Sequence, residues 1–230
     1  MTLIAIGGAE DKTGNMTVLK RVVAESGLEK PRVLVITSAT SFPDEAAKKY
    51  QEAFGRLGIE PVIHYVTREQ AEDVMFAKVA VNADVIFFSG GDQSRLTAML
   101  ADTPLLATIM KRESEGAVVA GTSAGAAAMS GMMIAGGRPK KAMKPGGLKI
   151  GEGFGFTPDI VFDTHVDYYG RVRRLFGAAA NDSRKTVIGL DEDTAIVMRD
   201  GKAEVLGAGD VSVLRDGELK RHKAGDRFSL

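Results

Sequence analysis

The fold of this chain depends on one stretch, Val118-Val119-Ala120-Gly121-Thr122-Ser123-Ala124-Gly125-Ala126-Ala127-Ala128-Met129-Ser130. An apolar run at 117–120 is typical of a strand buried on both faces. The row of alanines after position 123 favours a helix. Between them lies a G-x-S-x-G pattern, which is typical of a nucleophile elbow that exposes its serine at the end of a strand. We therefore predict that Ser123 is a nucleophile, although a close-packed turn of small residues has the same short pattern.

Two backbone amides are candidate donors to an oxyanion. Ala124 follows the serine at the predicted helix start, where an N–H group favours negative charge. Gly91 lies in Gly90-Gly91-Asp92-Gln93, which follows an apolar run at 84–88. Another glycine pair, Gly7-Gly8, follows the first apolar run of the chain. Because ligands of parallel α/β sheets bind at the carboxyl ends of the strands, we expect these turns to converge.

Apolar runs alternate with segments of helical spacing, and this alternation predicts an α/β fold with a mostly parallel sheet. Turn signals late in the chain predict C-terminal antiparallel strands, with hairpins at Asp200-Gly201 and Asp216-Gly217. No linker-like stretch divides the chain, so we expect one domain over residues 1–230. The predicted strands are 3–6, 33–36, 62–66, 84–88, 117–120, 160–162 and 187–190, and the predicted helices include 15–26, 41–57, 69–79 and 168–180.

One stretch in the second half of the chain fits two interpretations. Residues 136–147 are rich in glycine and lysine and contain no acid. Such a stretch fits a mobile flap beside the site as well as a solvated loop, and the sequence does not favour either.

Composition excludes several classes of function. Lys plus Arg and Asp plus Glu number 30 each, so the net charge is near zero and we expect no nucleic-acid partner. Cysteine is absent, which excludes a thiolate nucleophile and a disulfide framework. No motif offers a metal or cofactor site, and no apolar run is long enough to span a bilayer. We expect a cytoplasmic protein that uses neither metal nor cofactor and does not enter a membrane.

A nucleophilic serine needs a base within reach and a third group that holds the base in the correct tautomer. The chain has only three histidines. His64 fits a core position on a predicted strand, and His222 lies among lysine and arginine residues near the C-terminal end. His165 directly follows a strand, so we predict it as the base. Glu192, at the end of the next strand, is the predicted orienting acid, and Asp163, on the same strand face as His165, is the second candidate.

Four ordered motifs resemble the cyanophycinase and peptidase E family of serine peptidases. They are Gly90-Gly91-Asp92-Gln93, Gly121-Thr122-Ser123-Ala124-Gly125-Ala126, Asp163-Thr164-His165 with Gly170-Arg171 and Arg174-Leu175, and Gly189-Leu190-Asp191-Glu192-Asp193-Thr194-Ala195. The resemblance implies a flavodoxin-like three-layer sandwich, a homodimer, and a peptide substrate that contains aspartyl units. It also implies that Ser123, His165 and Glu192 are catalytic.

The same resemblance implies which side chains meet the substrate. Matching motif positions are Gln93, Asp163, Arg171 and Arg174, and two further positions, Thr164 and Tyr169, differ from the cyanophycinase pattern. Tyr169 stands where that pattern has an arginine, which argues against cyanophycin itself as the substrate.

The sequence thus favours a serine peptidase that hydrolyses aspartyl or β-aspartyl peptide bonds through an acyl-enzyme. Two alternatives stay open. An α/β-hydrolase esterase would order its triad as serine, acid and histidine, which Ser123, Asp191 and His222 satisfy. A catalytically inactive binding relative would keep the fold without the chemistry.

Overall fold

Strands and helices alternate along the chain in the computed structural model, which describes residues 1–230. The helices are α1 (Thr17–Ala24), α2 (Pro43–Arg56), α3 (Arg68–Glu72), α4 (Gln93–Leu100), α5 (Pro104–Ser114), α6 (Ala124–Met129) and α7 (Val172–Asn181). The strands are β1 (Thr2–Ile6), β2 (Val33–Ile36), β3 (Val62–His64), β4 (Val85–Phe88), β5 (Val118–Thr122), β6 (Met132–Gly137), β7 (Leu148–Glu152), β8 (Ile160–Thr164), β9 (Thr186–Leu190), β10 (Thr194–Arg199), β11 (Lys202–Gly207), β12 (Val211–Arg215), β13 (Glu218–His222) and β14 (Arg227–Ser229).

The main sheet has eight strands in the order β14-β11-β10-β1-β5-β4-β2-β3. The five strands from β1 to β3 in that order run parallel to one another. The C-terminal strands β10, β11 and β14 extend the sheet beyond β1, and each of them pairs antiparallel with its neighbour. Strands β1, β2, β4 and β5 are buried along their whole length, as expected for apolar strands covered on both faces. The predicted α/β fold with a mostly parallel sheet and C-terminal antiparallel strands is confirmed.

Helices cover both faces of the main sheet, which gives three layers. Leu19 of α1 and Phe54 of α2 share one hydrophobic cluster with Phe87. Phe88, the next residue on the same strand, points to the other face and packs in a second cluster with residues of α4, α5 and α6. The alternation of side chains along each strand therefore supplies both halves of the core.

A second sheet of four strands, in the order β13-β12-β9-β8, packs on the α6 side of the molecule. Strands β8 and β9 run parallel, whereas β12 pairs antiparallel with both β9 and β13. The alternation of strands and helices along the sequence does not reveal which sheet a strand joins, so the division of the strands between two sheets was not predicted. It matters for the site, because the segments after β8 and β9 contain His165 and Glu192.

Two helix predictions were wrong in their bounds. The predicted helix 69–79 is interrupted after Glu72, because Asp73 takes an extended backbone and its carboxylate accepts the Met75 N–H. A short 3₁₀ helix, Phe76–Ala80, follows. The predicted helix 168–180 starts only at Val172, since Gly170 has a positive φ of 58° and ends the preceding turn.

The basic stretch 136–147 belongs to a hairpin that the sequence did not reveal. Strand β6 pairs antiparallel with β7, and a 3₁₀ turn, Pro139–Lys141, lies between them. The stretch is therefore the end of a two-stranded ribbon, in which β6 and β7 pair in a defined register.

Close packing of α6 on β4 gives a first testable prediction. A Cβ atom on Gly125 would lie 2.3 Å from the Phe88 carbonyl oxygen, whereas a Cβ on Gly55, in α2, would meet nothing within 4 Å. We predict that Gly125→Ala lowers the free energy of unfolding by about 1–3 kcal/mol, because the backbones must separate. The control Gly55→Ala should raise it by up to about 1 kcal/mol. Urea unfolding measures both, and equal midpoints for the two variants would contradict the packing described.

Candidate active site

The G-x-S-x-G turn places Ser123 between β5 and α6 at the carboxyl edge of the main sheet. Its φ of 51° and ψ of −110° are rare for a residue with a side chain. The turn is tight, since a Cβ on Gly121 would lie 2.5 Å from the carbonyl carbon of Gly125. The hydroxyl is partly exposed in this arrangement. The local structure is the nucleophile elbow that the sequence predicts.

Three side chains form a continuous hydrogen-bonded chain at this edge. The Oγ of Ser123 lies 2.9 Å from Nε2 of His165. The Nδ1 of His165 lies 2.6 Å from Oε1 of Glu192. A carboxylate can only accept, so Nδ1 carries the proton and Nε2 is left with a lone pair directed at the serine hydroxyl. This is the tautomer in which a histidine can take a proton from serine.

The backbone at the end of β1 holds together the three chain segments that contain Ser123, His165 and Glu192. The consecutive carbonyl groups of residues 6–8 accept hydrogen bonds from the N–H groups of Ser123, His165 and Asp193, at 2.9, 3.0 and 2.8 Å respectively. Gly8 has no room for a side chain, because a Cβ there would lie 2.3 Å from Cε1 of His165. The glycine pair predicted to lie near the site thus supports the imidazole ring directly.

Asp163, the second candidate for the orienting acid, has other partners. One carboxylate oxygen accepts the N–H of Thr164 at 3.0 Å, and the other lies 2.9 Å from Nε of Arg174. Asp163 as the orienting acid is therefore wrong, because its buried carboxylate pairs with Arg174 while Nδ1 of His165 bonds to Glu192.

The acid and the base of the esterase alternative also lie elsewhere. Asp191 accepts hydrogen bonds from the N–H groups of Asp167 and Asp210, each at 3.0 Å, and so ties two loops together. His222 stacks on Phe228 with 4.0 Å between ring centroids, while the hydroxyl of Ser123 bonds to His165. That alternative is not compatible with the structure. His64 packs edge-on against Phe76 and takes no part in the site.

A cavity of about 320 Å³ opens beside Ser123 and His165. We call it the arginine cavity. It is lined by every residue that the sequence predicted to meet substrate or an oxyanion, namely Gly91, Gln93, Ala124, Asp163, Thr164, Tyr169, Arg171 and Arg174. The structure therefore brings three of the four motifs to this cavity, and the fourth motif supplies Glu192, which bonds to His165.

Two arginines and one carboxylate give the arginine cavity an excess of positive charge. Arg171 lies 3.9 Å from the Asp163 carboxylate and donates to the Thr164 carbonyl at 2.8 Å, and Arg174 donates to the Gly137 carbonyl at 3.3 Å. Burial raises the pKa of Asp163, and the positive charges of both arginines offset part of that rise. Nε of Arg174 lies 2.9 Å from Oδ2 of Asp163, so these two side chains form a buried ion pair.

The remaining lining residues are held by local contacts. The side-chain amide of Gln93 donates to the Ile134 carbonyl at 2.7 Å, which connects the start of α4 to the β6–β7 hairpin. The Tyr169 ring lies edge-on to His165 with 5.8 Å between centroids, and the Arg171 guanidinium lies 4.6 Å from the tyrosine ring centroid. Tyr169 itself is exposed, so its ring forms the rim of the cavity.

A second cavity of about 290 Å³ also includes Ser123 and His165 in its lining. We call it the lysine cavity, because Lys12 and Lys49 line it together with Glu10 and Tyr50. None of these four residues was predicted from the sequence. The one available signal was the position of Glu10 just after the Gly7-Gly8 turn. A larger cavity, of about 670 Å³ beside α1 and β11, includes neither the serine nor the histidine.

No three His, Cys, Asp or Glu side chains are grouped as a metal ion would require. None of the helices combines the length and apolar character that crossing a membrane requires.

Comparisons with known proteins identify relatives of the whole chain. A profile described as Peptidase family S51 matches residues 1–206. A cyanophycinase of Geminocystis herdmanii (strain PCC 6308) is 35% identical over 221 residues, which are 94% of this chain and 81% of that protein. Among solved structures, a peptidase from an acI-B1 Actinobacterium has a TM-score of 0.84 at 23% identity and covers 100% of this chain and 96% of its own.

A second solved structure, a putative peptidase E protein from Listeria monocytogenes EGD-e, has a TM-score of 0.64 at 17% identity, covering 90% of this chain and 98% of its own. Both structural similarities support the α/β fold. The profile match extends over most of the chain, and the resemblance predicted from the four motifs is confirmed. The chain belongs to peptidase family S51, and it is a serine peptidase.

Proposed function

We propose that this peptidase hydrolyses aspartyl or β-aspartyl peptide bonds through an acyl-enzyme on Ser123. The observation that carries the proposal is the hydrogen-bonded chain from Glu192 through His165 to Ser123, which ends at a cavity containing two arginines. The hydrogen-bonded chain would supply a nucleophile and a base, and the two arginines would bind a carboxylate of the substrate.

In the proposed reaction, Nε2 of His165 takes the hydroxyl proton as Oγ of Ser123 attacks the scissile carbonyl carbon. Glu192 stabilises the imidazolium that forms. The amides of Gly91 and Ala124 line the cavity and would donate to the developing oxyanion. His165 then gives its proton to the leaving amine, and the C–N bond breaks. Water activated by the same imidazole hydrolyses the ester and regenerates the serine.

The free carboxylate of the aspartyl unit would bind Arg171 and Arg174. Guanidinium groups bind carboxylates through two parallel hydrogen bonds, and in a partly buried site such bonds are stronger than in water. The α- and β-aspartyl forms place this free carboxylate on carbons one bond apart. The arginine cavity is therefore compatible with either linkage.

Cyanophycin is the less favourable substrate in this proposal. Tyr169 offers one neutral donor and an aromatic face at a position where the resemblance expects a guanidinium. A substrate group that pairs with that guanidinium would lose a charged hydrogen bond here. We propose that short aspartyl peptides are better substrates than the β-Asp-Arg polymer.

We also propose that residues 1–230 act as a single peptidase domain in the cytoplasm, and as a homodimer. The match of the family profile over residues 1–206 supports the single domain. The homodimer rests on the family resemblance, and the cytoplasmic location on the sequence expectation alone.

Substrate recognition gives the second testable prediction. Arg174→Ala should raise KM for aspartyl dipeptides and lower kcat/KM about 10- to 150-fold, because a charged hydrogen bond to the substrate is lost. Arg173→Ala is a matched control, since Arg173 is the exposed neighbour on the same helix.

Tyr169→Arg should shift the substrate preference towards the polymer. Steady-state kinetics on dipeptides and on cyanophycin measure these effects. Equal efficiency of the wild type on both would contradict the assignment of Tyr169.

The orienting acid gives the third prediction. Glu192→Gln should lower kcat by roughly 10⁴, because an amide no longer fixes the productive tautomer of His165. His222→Ala should leave kcat unchanged and is the matched control. Measurement of kcat for both variants on one aspartyl dipeptide decides the point. A large loss in His222→Ala combined with a tolerated Glu192→Gln would overturn the proposed triad.

A further inference from the structure

The lysine cavity contains an ion pair that the proposed mechanism does not use. Nζ of Lys12 lies 2.7 Å from Oε1 of Glu10 and donates to the Glu10 carbonyl oxygen at 3.3 Å. It also lies 5.1 Å from the ring centroid of Tyr50. An ammonium group has three donors, so two are occupied by Glu10 and one is left for a ligand.

Glu10 holds the ammonium in a fixed place. Its side chain is 1% exposed, and its carboxylate accepts the Tyr50 hydroxyl at 2.8 Å and the hydroxyl of Thr122. Burial and the neighbouring carboxylate raise the pKa of Tyr50 well above its ordinary value, so the phenol keeps its proton and continues to donate. Because Thr122 directly precedes Ser123, the position of the Lys12 ammonium is coupled to the nucleophile turn.

The two cavities meet at the catalytic pair and differ in the rest of their lining. Ser123 and His165 line both, whereas the predicted oxyanion donors and the two arginines line only the arginine cavity. The acyl part of a substrate must lie where its carbonyl oxygen meets the oxyanion donors. The residue that leaves with the amine is on the other side of the scissile bond, and it then extends into the lysine cavity.

We propose that the ammonium of Lys12 binds the free α-carboxylate of the residue released by cleavage. In a peptide whose leaving residue is the last one, this carboxylate lies one carbon away from the amine nitrogen, on the side of the lysine cavity. The enzyme would then prefer substrates with a single residue and a free carboxyl terminus after the scissile bond. This inference rests on the proposed function and specifies its leaving group.

Lys49 and Glu45 line the same cavity and do not offer an equivalent site. Both side chains are exposed, so water screens their charges and leaves their side chains mobile. Lys12 is 24% exposed and is oriented by a buried carboxylate. Lys49 is therefore a matched control for a cation in the cavity that lacks this support.

The test compares one aspartyl dipeptide with its C-terminal amide, in the α- or β-linkage that the wild type cleaves. The wild type should favour the free acid about 10- to 150-fold in kcat/KM, the range expected for one charged hydrogen bond. Lys12→Met should bring the ratio of acid to amide close to one, mainly through KM. Lys49→Met should keep the wild-type ratio, and Lys12→Arg, which retains the charge, should keep most of it.

Each other outcome has a separate meaning. Equal cleavage of acid and amide by the wild type overturns the role of Lys12 and leaves the proposed aspartyl peptidase intact. Loss of the preference in Lys49→Met, with its retention in Lys12→Met, also overturns the inference. If Lys12→Met does not fold, Lys12→Gln takes its place. Loss of the preference for the free acid in folded Lys12→Gln supports the role of Lys12, and retention of the preference overturns it. Cleavage of neither peptide by the wild type overturns the proposed function together with the inference.

Discussion

Three backbone hydrogen bonds at the end of β1 are the constraint on which the site depends. The carbonyl groups of residues 6–8 bind the segments that contain Ser123, His165 and Glu192, and these segments come from different parts of the fold. Strand β1 lies inside the main sheet, between β5 and β10, so its end is held on both sides. The backbone positions from which the three side chains extend thus follow from strand pairing in the core.

Charge is arranged differently on the two sides of the serine. In the arginine cavity, Asp163 is a counter-charge that allows Arg171 and Arg174 to lie close together, and one positive charge remains uncompensated. In the lysine cavity, Glu10 compensates Lys12 fully but leaves one donor free. Buried ion pairs contribute little net stability, since the cost of desolvation offsets their attraction. Their presence on both sides of the nucleophile supports the proposal that the substrate carries a carboxylate on each side of the scissile bond.

The sequence predicted those features that are encoded in neighbouring residues. The elbow around Ser123 needs small residues at fixed spacing, and His165 and Glu192 each follow an apolar strand, so local patterns were sufficient to find them. The contact of Glu10 with Tyr50 and Thr122 spans 40 and 112 residues along the chain, and each of these residues is ordinary by itself. Assignment of β8 and β9 to a second sheet also depends on tertiary packing, to which the alternation of strands and helices is insensitive.

The central claim is that Ser123 is the nucleophile of an aspartyl peptidase. Turnover of an aspartyl dipeptide by purified Ser123→Ala, compared with the wild type at equal concentration, tests it most directly. The substitution removes one hydroxyl group from the turn, so circular dichroism and the thermal midpoint should be close to those of the wild type. The account predicts a fall in kcat on the order of 10⁶. A folded Ser123→Ala protein that cleaves the peptide within tenfold of the wild-type rate would contradict it.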